Sequence, residues 1–118
     1  MKEHLERRRY VRENVTLPLT ISKLKGRAVS FIGSSRSRDL SEGGICFKCP
    51  EFMPMAKRML LEIEIPVNDG SVKAIAKVAW ISKGSIDEGF TLGAQFLEIK
   101  KEDAERIHSF IDTLEKNS

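Results

Sequence analysis

The sequence predicts an all-β domain closed by one helix: a six-stranded antiparallel β-barrel followed by a C-terminal α-helix. Three observations carry this. Apolar residues recur at every second position in a series of short runs, the period that puts one face of a strand against a core. Turn residues separate those runs at short intervals. Only at the chain's end does the period lengthen to three and four residues, the period of an amphipathic helix. A length of 118 residues leaves room for one domain of ordinary size.

The elements follow in order. Val15, Leu17, Leu19 and Ile21 alternate strictly and make the first strand. Pro18 lies within it and lacks a ladder donor, so its nitrogen is expected at a sheet edge or a bulge. Lys25-Gly26 turns the chain, and Ala28 to about Ser37 returns it through Val29 and Phe31. A tight loop is expected at Asp39-Leu40-Ser41-Glu42-Gly43-Gly44, then a short strand from Ile45 to Cys49. After the break between Pro50 and Pro54, Met59, Leu61, Ile63 and Ile65 alternate with Glu62 and Glu64. Asn68-Asp69-Gly70 is a hairpin signal. Val72, Ala74, Ala76, Val78 and Trp80 form the return strand, and after the connection from Gly84 to Gly89 the last strand carries Phe90, Leu92, Ala94 and Phe96. Ala104, Ile107, Phe110 or Ile111, and Leu114 then mark one face of a helix. So small a sheet leaves exposed edges unless it closes, and the helix stripe is expected to plug a mouth or cover a side.

Composition narrows the function. The longest apolar runs are a few residues, far short of the roughly 20 that a membrane helix needs. The charged start Met1 to Arg9 has no apolar stretch behind it, so it does not read as a signal peptide, and a cytoplasmic location is expected. Cys46 and Cys49 have no second ligand pair, and an odd separation on a strand points them to opposite faces. They read as ordinary reduced thiols, with no metal and no cofactor. Residues 1–38 hold ten basic and three acidic side chains, against ten and fourteen in the rest. Most of the ten are arginines, whose forked donors suit phosphate and the guanine edge, so an anionic partner is expected near this third. No catalytic Ser-His-Asp arrangement or phosphate loop is present, and Glu62 and Glu64 share a solvated face. His108 reads as a solvated helix residue. The chain is expected not to be an enzyme.

Two stretches remain. Arg8-Arg9-Tyr10-Val11-Arg12 precedes the first strand, and Asp39-Leu40-Ser41-Glu42-Gly43-Gly44 lies between the second and third. Arginines four apart can surround one ligand with two guanidinium groups. An acceptor-only carboxylate at Asp39 suits guanine N–H donors. Ser41 offers a hydroxyl to a phosphate or base, while Gly43 and Gly44 permit positive φ and close backbone approach. The second stretch is equally the composition of a capped turn.

Arg8 and Arg12 as Arg-x-x-x-Arg, with Asp39, Ser41 and Gly44 as Asp-x-Ser-x-x-Gly, resemble the two motifs of the PilZ domain, a bacterial receptor module for cyclic di-GMP. The resemblance runs from about Glu6 to Leu114, with Val78-Ala79-Trp80 and Leu92-Gly93-Ala94-Gln95-Phe96 similar to the family's later strands. It implies a PilZ-type barrel over residues 14–118, preceded by a flexible arm, residues 1–13. It also implies a stand-alone cyclic di-GMP receptor or adaptor whose arm orders over the ligand and alters a surface for an unidentified protein partner. The ligand residues implied are Arg7, Arg8, Arg9, Arg12, Asp39, Ser41, Gly43 and Gly44, with Arg7 holding an intercalated pair of ligand molecules. Two alternatives stay open: a PilZ-like protein-interaction scaffold without nucleotide, and a small barrel that binds nucleic acid. The second is disfavoured, because only eight aromatics are present and no exposed aromatic platform is expected on the strands.

Overall fold

A computed structural model describes residues 12–66, 70–84 and 89–116. Among the described residues seven strands and a helix follow one another: β1 (Glu13–Asn14), β2 (Pro18–Lys25), β3 (Ala28–Leu40), β4 (Gly44–Cys49), β5 (Arg58–Ile65), β6 (Gly70–Lys83), β7 (Phe90–Ile99) and α1 (Lys101–Lys116). All pairings are antiparallel, in the order β3-β2-β5-β6-β7-β4, and β4 pairs back to β3 to close a six-stranded barrel. The two-residue β1 continues the β2 side of β3, with Glu13 opposite Leu40 and Asn14 opposite Asp39.

The alternation read from the sequence is the wall of this barrel. Leu19, Ile21, Phe47, Met59, Leu61, Ile63, Val72, Val78 and Leu92 all point inward and are fully buried. Ile107, Phe110 and Ile111 of α1 join the same core, so the apolar stripe of the helix is buried against the barrel. Asp103 and Arg106 tie the helix down: Lys73 N–H donates to Asp103 at 3.3 Å, and Arg106 donates to the Ser71 carbonyl at 3.3 Å. Pro18 opens β2 one residue before the ladder with β5 begins, so no partner there asks for its missing donor.

Several strands run further than the apolar pattern. β3 continues through the polar run Ser34 to Asp39, because β2, β1 and β4 supply its ladder whatever its side chains are. The tight loop expected over residues 39–44 is therefore shorter: Asp39 and Leu40 belong to β3, Gly44 opens β4, and only 41–43 turn. β6 and β7 likewise extend to Lys83 and Ile99.

Bulges interrupt the alternation at two places that matter below. On β3, Ser37 faces Phe47 inside, but the next pair is Asp39 with Cys46, so Arg38 is the extra residue and Asp39 turns outward. On β6, Val78 faces Ala94 inside and the next pair is Trp80 with Gly93, so Ala79 is extra and Trp80 turns outward. The chain after β4 buttresses this second bulge. Ala56 N–H donates to the Val78 carbonyl at 2.8 Å and Val78 N–H to the Lys57 carbonyl at 3.0 Å, with Ala56 held at φ 65° to do so.

Candidate functional site

The candidate site is built on the outer face where β3, β4, β7 and β6 lie side by side. Register makes four residues lateral neighbours: Asp39 pairs with Cys46, Cys46 with Gly93, and Gly93 with Trp80. With strands about 4.8 Å apart, the row is about 14 Å long. It has a carboxylate at one end and an indole at the other.

Gly93 decides the shape of the row's middle. A Cβ there would fall inside the Trp80 ring, so the absence of a side chain is what lets the indole lie across β7. Trp80 stays 41% exposed and presents an aromatic face to solvent. The expectation that the strands expose no aromatic platform is thus corrected. The period-2 pattern of β6 assigned Trp80 to the face of Val78, and the bulge reverses it. At this corner the indole offers a surface for a single base, and Phe31, the other large exposed strand aromatic among the described residues, lies on β3 outside the row; a nucleic-acid strand uses a series of such platforms.

At the other end, the segment before β2 is pinned beside Asp39. Leu17 N–H donates to Ser37 Oγ at 2.9 Å, Ser37 Oγ donates to the Val15 carbonyl, and Asn14 pairs with Asp39. Arg12, two residues before Asn14, is exposed. The Cys46 thiol reports the charges gathered here. Burial pushes it above its ordinary value and the Asp39 carboxylate adds to the rise, while Arg38 and Arg12 pull it back. Both cysteines are free, and they do face opposite ways, with Cys49 in the core. A thiol raised in this way is mostly protonated near neutrality and a poor nucleophile. Among the described residues no cluster of His, Cys, Asp and Glu could hold a metal.

The turn after β3 is self-contained. Ser41 Oγ accepts from the N–H groups of Gly43 (3.2 Å) and Gly44 (3.1 Å), and Ser41 N–H donates to the Gly44 carbonyl at 2.9 Å. The Ser41 hydroxyl therefore shapes the loop, as in the capped-turn reading. Neither Gly43 nor Gly44 takes the left-handed conformation expected of them; among described glycines only Gly26 and Gly89 do. Gly44 is needed for a close approach of another kind, since a Cβ on it would strike the Ala94 carbonyl of β7. Gly43 fixes the loop to the same strand by accepting from Phe96 N–H at 2.9 Å. Glu42, at the tip, meets His108 of α1 at 2.7 Å, so this histidine has a partner and its pKa is raised by that hydrogen bond and charge.

Of the sequence-predicted ligand residues, the structure brings Arg12, Asp39, Ser41, Gly43 and Gly44 to one corner of the barrel. Arg7, Arg8 and Arg9 lie outside the described residues. The sequence reading missed Arg38, Cys46, Gly93 and Trp80 as members of this surface. Arg38 had a visible signal, a guanidinium adjacent to Asp39. Trp80 and Gly93 lie in segments that resemble the family's later strands, but their meeting follows from a bulge and a register that the apolar pattern does not show.

A family model for the PilZ domain matches residues 6–113. Among solved structures, the inhibitor of motility MotI/DgrA of Bacillus subtilis superposes with a TM-score of 0.75 at 19% identity, over 94% of this chain and 52% of that one. YcgR of Escherichia coli in complex with c-di-GMP gives 0.71 at 22% identity, over 94% and 47%. The PilZ domain of YcgR with c-di-GMP gives 0.65 at 21%, over 94% and 93%. The chain spans about half the length of the first two and nearly all of the third. A search of curated proteins found no match.

Proposed function

The chain belongs to the PilZ domain family, and from that premise we propose that it is a receptor for cyclic di-GMP that passes the signal to a protein partner. It is read as a regulatory binding protein and not as an enzyme. Residues 1–13 close over the nucleotide from one side, with Arg8 and Arg12 gripping phosphate and guanine, and Arg7 and Arg9 assisting. Asp39 accepts from guanine N–H donors. Ser41, Gly43 and Gly44 hold the turn that keeps this corner in shape, and the Trp80 indole stacks on a base at the far end of the row. Closure of the arm changes the surface that the partner reads.

The observation that carries the reading is the pairing of Asn14 with Asp39, which joins the chain of the first motif to the carboxylate of the second. The structures of YcgR with c-di-GMP are consistent with it through the shared fold. Isothermal titration of cyclic di-GMP into the full chain tests it, with GTP and an Arg8→Ala/Arg12→Ala double variant as controls. Saturable heat with the wild type alone is expected, and a stoichiometry near two would assign Arg7 its intercalated pair. No heat from a demonstrably folded chain overturns the receptor reading in favour of a nucleotide-free scaffold. A steep salt dependence with any single-stranded nucleic acid would favour the other alternative.

A further inference from the structure

The barrel closes unevenly, and the part it leaves open is a strand edge. β3 pairs with β2 from Ala28 to Arg36, but on its other side β4 takes only Ser37, Asp39 and Leu40. Over residues 28–34 that second side has no ladder partner among the described residues. The β2–β3 connection is a two-residue hairpin, Gly26-Arg27, with Lys25 paired to Ala28. Residues flanking such a turn exchange both bonds with each other, so the next position, Val29, and then Phe31 aim their N–H and C=O groups away from β2. These same two residues carry the exposed apolar side chains, Val29 at 56% and Phe31 at 66% exposure. Both stand on the barrel's outer face, beside half-buried Leu24. Unsatisfied ladder groups beside exposed valine and phenylalanine are a template for another strand.

The charge around the edge selects the occupant. Arg27 lies at one end, Arg36 and Lys48 at the other, and Lys25 is close to the hairpin tip; all four are exposed. The nearby carboxylate of Glu51 is already taken by Lys23 at 2.6 Å. A second copy of the chain laid edge to edge would bring a second basic set against the first. We propose that the Ala28–Ser34 edge of β3 is a docking site for an extended segment of a partner protein, apolar at alternate positions and acidic at its ends, which adds a strand to the barrel. This deepens the reading of the chain as an adaptor, but the contact needs no nucleotide, so it is tested without one and its failure leaves the receptor reading untouched.

The probe is a short fluorescein-labelled peptide of alternating glutamate and valine, followed by anisotropy against the full chain. Saturable binding is expected, weakened by salt, and lost with a backbone N-methylated twin and with a lysine–valine counterpart. Val29→Pro removes an outward donor without costing an internal bond, and Phe31→Thr removes the apolar anchor while keeping strand propensity; each is expected to weaken binding by about tenfold or more. Denaturation curves identify a variant that has lost its fold, and the N-methylated peptide still tests the wild type if one has. Equal binding of the methylated twin, or no binding of the glutamate–valine peptide, overturns the proposal. So does concentration-dependent dimerisation that Phe31→Thr abolishes, which would seat a second copy on the edge. Binding of phosphatidylserine vesicles in place of the peptide would overturn it in favour of a membrane surface.

Discussion

The inner and outer faces of β4, β6 and β7 are made by the same residues in alternation, yet they are specified in different ways. Inside, Ile45, Phe47, Val78, Leu92 and Ala94 fill a common core, and each is buried by many others. Outside, the row from Asp39 to Trp80 exists only because two bulges turn its end residues outward and Gly93 leaves space between them. The inner face follows the period; the outer row follows its interruptions. Stability should therefore be sensitive to inner substitutions and binding to outer ones, with little exchange between the two.

The largest expected effect on stability is on the inner face. Phe47→Ala removes a fully buried ring and should cost about 3–5 kcal/mol, read as a lower denaturant midpoint. A cost under about 1 kcal/mol would contradict the packing described. On the outer face, Gly93→Leu should evict the Trp80 indole and abolish nucleotide binding while the chain still folds, which calorimetry and circular dichroism would show. Trp80→Ala is milder. Loss of one stacked base should weaken cyclic di-GMP by about 1–3 kcal/mol, with stability changed by less than that. An unaltered affinity would remove Trp80 from the site.

The smallest effect concerns the latch between Glu42 and His108. The pKa of His108 is raised above 6.5 in the folded chain by the hydrogen bond and charge of Glu42. Its stabilisation is thus fully present below the unfolded value and is lost as pH rises through the folded one. Thermal midpoints measured across that window should fall slightly with pH in the wild type and lose this component in His108→Ala. NMR titration of His108 should give a lower pKa in Glu42→Gln.

Much of the fold was legible because burial enforces alternation. Met59 to Ile65 and the stripe Ile107, Phe110, Ile111 each named their own element, while the run Val15 to Ile21 was only half right: Leu19 and Ile21 lie in β2, but Val15 and Leu17 lie in the stretch between β1 and β2, and β2 runs on to Lys25. Strand lengths were less legible, since β3 runs on through Ser34 to Arg38 on its neighbours' hydrogen bonds and not on its own apolar pattern. The motif residues Arg12, Asp39, Ser41 and Gly44 stood out by type and spacing. What they do locally did not, because Ser41 is spent on its own turn and Gly44 on the approach to Ala94. Strict alternation, which marks the core correctly elsewhere, puts Trp80 on the wrong face because a bulge at Ala79 lies in between.

Trp80 is the chain's single tryptophan, so its emission tests directly whether the nucleotide lies on the Asp39–Trp80 row. Titrating cyclic di-GMP into the wild-type chain should change tryptophan fluorescence saturably, with a midpoint matching the calorimetric affinity and no response to GTP. Calorimetric binding that leaves the emission unchanged would place the nucleotide away from the Asp39–Trp80 row and contradict the account.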